Sequence, residues 1–211
     1  MKQVILLTRH GETYGNAHYY RKKTYDGVPP FLFDDLTETG RKQARRLGET
    51  LKTFLGEHRP FFITSELERS IETAGIIAQE VDCFFNDVHL ASEHLNERKP
   101  LEWYPPEEQE QKRATTPTSE ELANLAALEL IHLGNHVTRP VLVAVLHGVI
   151  NTVMLQSLDI TVPTSYHYDH CGIYVLGHDD KTLRVLDHTY YAHDDLDRLI
   201  TTCTIEKLLT Y

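Results

Sequence analysis

The chain has 211 residues, 41% of them hydrophobic and 25% charged, with a formal net charge of -10. This composition fits one soluble globular domain with its own core, and the acidic balance excludes the basic face of a nucleic-acid binder. It does not exclude a small phosphorylated substrate, since a few arginines can focus positive potential in a cleft.

The first apolar stretch, residues 4–8, is too short for a signal-peptide core, and no run approaches membrane-spanning length. Cys83, Cys171 and Cys203 lie far apart without CxxC spacing, so they read as small hydrophobes rather than a disulfide framework or zinc site. The expected location is cytoplasmic.

In chain order, residues 4–8 form a continuous apolar run, as in a strand buried on both faces, and Arg9-His10-Gly11-Glu12 follows at once. Residues 16–35 are aromatic, basic and proline-containing without a clean period, which predicts a long loop with room for a helical turn. Thr37 caps a helix carrying Ala44, Leu47, Leu51 and Phe54 at helical spacing and ending near Gly56. Residues 60–64 are a second strand candidate. Ser65 and Glu68 have capping-box spacing and open a helix with Leu67, Ile71, Ala74 and Ala78 on one face.

Residues 83–85 suggest a short strand, and 93–117 a loop or lid. Thr118 and Glu121 repeat the capping-box spacing before Leu122, Leu125, Leu128 and Ile131. Residues 141–146 make the clearest central strand, followed by His147-Gly148 and an apolar helix through Leu158. Residues 172–176 and 183–187 read as an antiparallel hairpin, and a helix is expected from Asp194. This alternation implies a single domain: a three-layer α/β/α sandwich with a mostly parallel sheet, an antiparallel edge, and loop or lid segments near 17–35 and 93–117.

Two of these strands end in His-Gly, which places His10 and His147 at the carboxyl edge of the sheet, where open α/β folds bind ligands. A neutral imidazole is a nucleophile, and a guanidinium such as Arg9 is a planar, permanent anion holder. Arg69, in the first turns of a helix that follows a strand, falls at the same edge. His10, His147, Arg9 and Arg69 together point to chemistry on a phosphate. A metal reading of the thirteen histidines is weaker. His132 and His136, and likewise His167 and His170, have no partner at recognisable ligand spacing and read as surface residues.

These segments resemble the histidine phosphatase superfamily, which includes cofactor-dependent phosphoglycerate mutases and many phosphatases. Arg9-His10-Gly11-Glu12-Thr13 with Asn16 resembles its opening signature, and Leu36-Thr37-x-x-Gly40-x-x-Gln43-Ala44 its early helix. Ser65-x-Leu67-x-Arg69-x-x-x-Thr73-Ala74 resembles its second arginine segment, Leu95-Asn96-Glu97-Arg98 the stretch bearing its proton-donating glutamate, and His147-Gly148 its second histidine.

The resemblance implies that His10 accepts the phosphoryl group and that Arg9, Asn16, Arg69 and His147 hold it. It also implies that Glu97 serves as acid and then base; Glu93 and Glu102 are rivals in the same loop. No cofactor and no metal are implied, and the partner is a small phosphorylated substrate. Residues 17–33 are longer than the corresponding mutase segment and lack its Gly-Trp turn, and 99–103 replace a glycine-bearing continuation. Both departures favour hydrolysis over mutase-type transfer. A protein phosphohistidine or phosphotyrosine phosphatase shares the same site, and a non-catalytic phospholigand-binding module is the reading from outside enzymology.

Overall fold

Alternating side chains along four parallel strands divide the core into two halves and bring the chemistry-bearing residues to one edge. The computed structural model describes residues 3–22, 27–29, 32–87, 89–97, 110, 117–163, 169–179 and 181–210. The first strand, β1 (Gln3–Arg9), is buried throughout, as its unbroken apolar run predicts. It is followed by α1 (Tyr14–Lys22), α2 (Glu38–Leu55), β2 (Phe61–Ser65), α3 (Glu68–Glu80), β3 (His89–Ser92), α4 (Ser119–His136), β4 (Val141–Leu146) and α5 (Gly148–Ser157). The hairpin β5 (Ile173–His178) and β6 (Leu183–Tyr191) comes next, then the short helices α6 (Asp197–Thr202) and α7 (Ile205–Leu209).

The sheet order is β3-β2-β4-β1-β5-β6. The first four strands run parallel, while β5 and β6 form the antiparallel edge that the sequence predicts. On β1, Val4 and Leu6 face a core completed by Leu47, Leu51 and Phe54 of α2 and Ala74 and Ile77 of α3. Ile5 and Leu7 face the opposite core, with Ala126 and Leu130 of α4 and Ile150 and Met154 of α5. This period-2 alternation produces the three layers. Each fully buried Leu, Ile or Phe contributes about 1.5–3 kcal/mol relative to exposure.

Several elements differ from the sequence reading. The expected loop at 16–35 contains α1, capped by an exchange in which the Thr13 Oγ accepts from Asn16 N–H (3.1 Å) and donates to Asn16 Oδ1 (3.1 Å). The expected strand at 83–85 is displaced: Phe85–Asp87 is a single 3-10 turn, and the strand is β3. Thr118 and Glu121 do form a reciprocal capping box on α4. However, α4 buries Ala123, Ala126 and Leu130, whereas Leu125 and Leu128 are 43% and 64% exposed. Ala123, Ala126 and Leu130 share that face with core residues of α5 and the sheet. The hairpin turn falls later than expected. Gly177 and His178 stay in β5, where His178 Nδ1 bonds Gln3 Oε1 (2.7 Å), and Asp179 accepts from the amides of Lys181 and Thr182. The carboxyl-terminal helix is broken at Cys203, with Thr204 capping α7.

Cys83, Cys171 and Cys203 are free thiols, the last two buried. Among the described residues, no helix is long and apolar enough to cross a membrane. Most of the expected lid at 93–117, including Glu102 and Trp103, lies outside the described residues.

The loop after β1 is fixed against α2 by an approach that excludes side chains. A Cβ on Gly40 would lie 2.1 Å from the Glu12 carbonyl oxygen, and one on Gly11 would lie 2.6 Å from the Gly40 oxygen. Because both obstacles are backbone, neither can swing aside. Gly40→Ala is therefore expected to destabilise the protein by about 1–3 kcal/mol, seen as a lower urea midpoint. An unchanged midpoint would contradict the close packing.

Candidate active site

The site is assembled from four neighbouring strand ends. Backbone pairing of β1 with β4 runs in register from Val4 opposite Val141 to Arg9 opposite Leu146. One further bond, His10 N–H to the Leu146 carbonyl (3.1 Å), puts His10 and His147 on adjacent strand ends with ring centroids 5.3 Å apart. The next strand, β2, ends at Ser65 and delivers Arg69 on the first turns of α3. The outer parallel strand, β3, leads through a 3-10 turn to Glu97. Leu95 is buried beneath that turn, and Asn96 Oδ1 accepts the Glu66 amide (2.8 Å), so Glu97 is held to the β2 loop.

His10 is buried, and its two nitrogens have distinct partners. Nδ1 donates to the Gly11 carbonyl at 2.8 Å. The Nε2 lone pair of this tautomer faces Arg69, whose Nε donates to it at 3.2 Å. Burial first, and then the positive charges of Arg69 and Arg9, hold the His10 pKa well below the ordinary imidazole value. His10 is thus a neutral ring with an available lone pair.

His147 is also buried and held neutral, by burial and then by Arg69 and Arg9. Its Nε2 bonds Ser65 Oγ at 2.8 Å. Its Nδ1 faces Glu97 Oε2 at 3.7 Å and has no hydrogen-bond partner among the described residues. In the tautomer whose Nε2 accepts from the Ser65 hydroxyl, the ring proton lies on Nδ1. A neutral ring can then donate into the site, so the imidazolium that a phosphate contact suggests is not required.

Arg69 is only 12% exposed and has three partners. Nε meets His10, Nη2 meets Glu97 Oε2 at 3.2 Å, and Nη1 is paired with Asp34. Glu97 Oε1 accepts the Val149 amide (3.3 Å) at the first turn of α5. Arg9 is buried against Gly148, where an added Cβ would lie 3.2 Å from the guanidinium carbon. Glycine after His147 therefore makes room for the arginine. The Gly11 amide donates to Thr73 Oγ (3.0 Å), which in turn donates to the Arg69 carbonyl (2.6 Å), tying the first segment to α3.

Arg9, His10, Arg69, Glu97 and His147 therefore converge. Asn16 is near Arg9 and His10 in sequence, but its side-chain Oδ1 accepts from Thr13 at the start of α1, so any anion contact falls to its side-chain nitrogen. Of the rival acids, Glu93 is exposed on the 3-10 turn, and Glu102 lies outside the described residues.

Ser65 and His170 have other positions than the sequence suggests. Ser65 is not the N-cap of α3, which is Leu67 without a side-chain bond; its hydroxyl accepts the Leu67 amide (3.2 Å) and also bonds His147. His132 and His136 are exposed as expected, and His167 lies outside the described residues. His170, by contrast, is buried beside the site. Its Nδ1 bonds the His10 carbonyl (2.8 Å), and its Nε2 bonds the Tyr20 hydroxyl (3.0 Å). Nothing in its sequence neighbourhood signals this, because the contact spans 160 residues. Asp34 likewise carries no local mark, since it meets Arg69 across 35 residues.

His10, Glu97 and His147 offer ligand atoms within 4.8 Å of one another, a spacing that could hold a cation. Two permanent guanidinium groups share the same space, and His10 Nδ1 is committed to Gly11. The electrostatics therefore suit an anion better.

The chain matches the description "Histidine phosphatase superfamily (branch 1)" over residues 5–190. Among solved structures, it is similar to a phosphoglycerate mutase from Bacillus anthracis str. Sterne, at 17% identity and TM-score 0.64, covering 92% of this chain and 95% of that one. A mycobacterial glucosyl-3-phosphoglycerate phosphatase complexed with VO3 aligns at 18% identity and TM-score 0.58, over 88% and 98% of the two chains. A phosphoserine phosphatase mutant from Entamoeba histolytica, bound to phosphoserine, aligns at 21% identity and TM-score 0.58, over 92% and 99%. At these identities the likeness is one of fold.

Three buried imidazoles with depressed pKa values (His10, His147 and His170) make a prediction about stability. Below pH 6.5, the ordinary imidazole value, the unfolded chain takes up protons that the folded state refuses, so stability falls as pH falls. Each such group contributes up to about 1.4 kcal/mol per pH unit in that window. Urea midpoints measured at decreasing pH should drop below this point, and His147→Gln should lessen the slope. A flat profile would contradict buried, neutral rings.

Proposed function

The chain belongs to the histidine phosphatase superfamily (branch 1), and from that premise we propose that it is a metal-independent phosphatase. In this reading it hydrolyses a small phosphomonoester through a phosphohistidine at His10. The observation that carries the reading is the His10 tautomer: Nδ1 is tied to the Gly11 carbonyl, and the Nε2 lone pair is turned toward Arg69.

In the first half-reaction, Nε2 forms a bond to phosphorus as the ester P–O bond breaks. Glu97, in its protonated form, gives its proton to the departing oxygen. Arg9 and Arg69 hold the non-bridging oxygens, with His147 Nδ1 donating to another, and their fixed charges oppose the charge spread over the transferring group. The Gly11 carbonyl stabilises the ring as it becomes cationic. In the second half-reaction, Glu97 takes a proton from water, whose oxygen bonds phosphorus as the N–P bond breaks. The electron pair returns to Nε2, and Glu97 is protonated again.

In this reading a small ester is favoured over a protein substrate because His10, Arg9 and His147 are all buried. Both mutases and phosphatases occur among the structural relatives. Assaying phosphoryl migration within a phosphoglycerate against release of inorganic phosphate separates those two activities. A pure binding module would not need the acid at position 97.

With an aryl phosphate as substrate, His10→Ala is expected to lower phosphate release by at least about 100-fold, the scale of removing one stabilising contact from a transition state. Chelators should leave the wild-type rate unchanged. In Glu97→Gln, the good aryl leaving group still departs but water is no longer activated, so an acid-labile, base-stable phosphoprotein should accumulate. Hydrolysis that persists in His10→Ala would overturn the mechanism, and activity lost to chelation and restored by zinc would overturn its metal independence.

A further inference from the structure

Asp34 is the acidic group of the site that the phosphatase reading leaves without a role. We propose that Asp34 is a specificity-determining residue, selecting phosphomonoesters that carry a cationic or neutral group beside the phosphate and disfavouring those with a second anion. The inference rests on the hydrolase reading above and adds a substrate class to it.

Asp34 is fixed by backbone rather than borne on a free loop. The carbonyls on either side of it, those of Phe33 and Asp35, accept the amides of Gly15 (3.2 Å) and Tyr14 (3.1 Å). These are first-turn N–H groups of α1, which the helix itself cannot satisfy. One residue further on, Leu36 is fully buried and bridged to Thr13, and Thr37 N–H bonds the Glu12 carbonyl (2.9 Å). Residues 33–37 are thus held against the segment that follows His10, and the Asp34 carboxylate is held on Arg69 Nη1.

The charges then decide what enters beside it. Arg9 and Arg69 supply two positive charges, and Glu97 and Asp34 supply two negative ones when ionised. In the hydrolase reading Glu97 serves as the proton donor, whereas Asp34 has no proton-transfer role. The Asp34 carboxylate is 40% exposed, so it is open to solvent as well as paired with the arginine. A substrate carboxylate or second phosphate nearby meets a fixed like charge, whereas an ammonium group meets an opposite one. Arg21 and Lys22, exposed on the last turn of α1, are the opposing candidates for receiving a second anion.

The test is steady-state phosphate release by the whole protein from three esters of similar size: phosphoethanolamine, glycerol 1-phosphate and 3-phosphoglycerate. The wild type should prefer them in that order by kcat/KM. In Asp34→Asn, the ratio for phosphoethanolamine over 3-phosphoglycerate should fall about tenfold, while Asp34→Glu should keep the order. Asp34→Ser replaces the Asn variant if that protein does not fold. The ratio is the readout because weakening Arg69 slows all three substrates together.

A ratio within threefold of wild type in the neutral variant, or a wild type that prefers 3-phosphoglycerate, overturns the assignment and leaves the hydrolase reading intact. If the wild type releases phosphate from none of these esters and from no aryl phosphate, both readings fall.

Discussion

The in-register pairing of β1 with β4 is the constraint on which the rest of the site depends. These two parallel strands are separated in sequence by some 130 residues, yet their last paired positions, Arg9 and Leu146, immediately precede or include the site residues. Strand spacing then fixes the separation of the two imidazoles without any contact between the rings having to do so. A slip of one residue would turn every side chain of β1 to the other face and send Leu6 and Leu7 into the wrong cores. The hydrophobic alternation that builds the two halves of the core therefore also holds the geometry of the candidate site.

Electrostatics in this protein work locally, against the bulk charge. The chain carries a net charge of -10, but two buried or nearly buried guanidinium groups dominate the edge where four strands end. They keep three neighbouring histidines neutral, with burial as the larger cause. A neutral His10 keeps a lone pair on one ring nitrogen, which a protonated ring lacks. Arg69 is paired with Asp34 and Glu97.

Around this charged centre lies a shell of neutral hydrogen bonds whose purpose is orientation. Gly11 selects the His10 tautomer, Ser65 orients His147, Thr73 clamps the Gly11 amide, and His170 holds the His10 carbonyl. None of these partners needs a charge, so each adds direction without adding a charge at the candidate site. Tyr20 reaches the same shell from α1 through His170, linking the approach to the site with its floor.

Five of the six strands, the long helices and the five residues that converge are legible in the amino-acid sequence because each is a local pattern. Apolar runs made β1 and β4, helical spacing made α2, and the His-Gly pairs at strand ends marked the edge. Where local pattern misled, another contact had claimed the same group. Ser65 has capping spacing, but it is not the N-cap, and its hydroxyl also bonds His147. Leu125 and Leu128 of α4 look like its buried stripe, but Ala123, Ala126 and Leu130 are buried instead. Thr13 and Asn16 cap a helix inside what reads as loop.

Only the folded chain could bring Asp34 to Arg69 or His170 to the backbone of His10. Those contacts join residues 35 and 160 positions apart, and their partners carry no mark of one another. Sequence determined which groups could do phosphate chemistry, because nucleophilicity and charge belong to residue types. Tertiary structure decided which lone pair points inward and which acid stands beside the arginine, because direction and distance arise only when the strands pack.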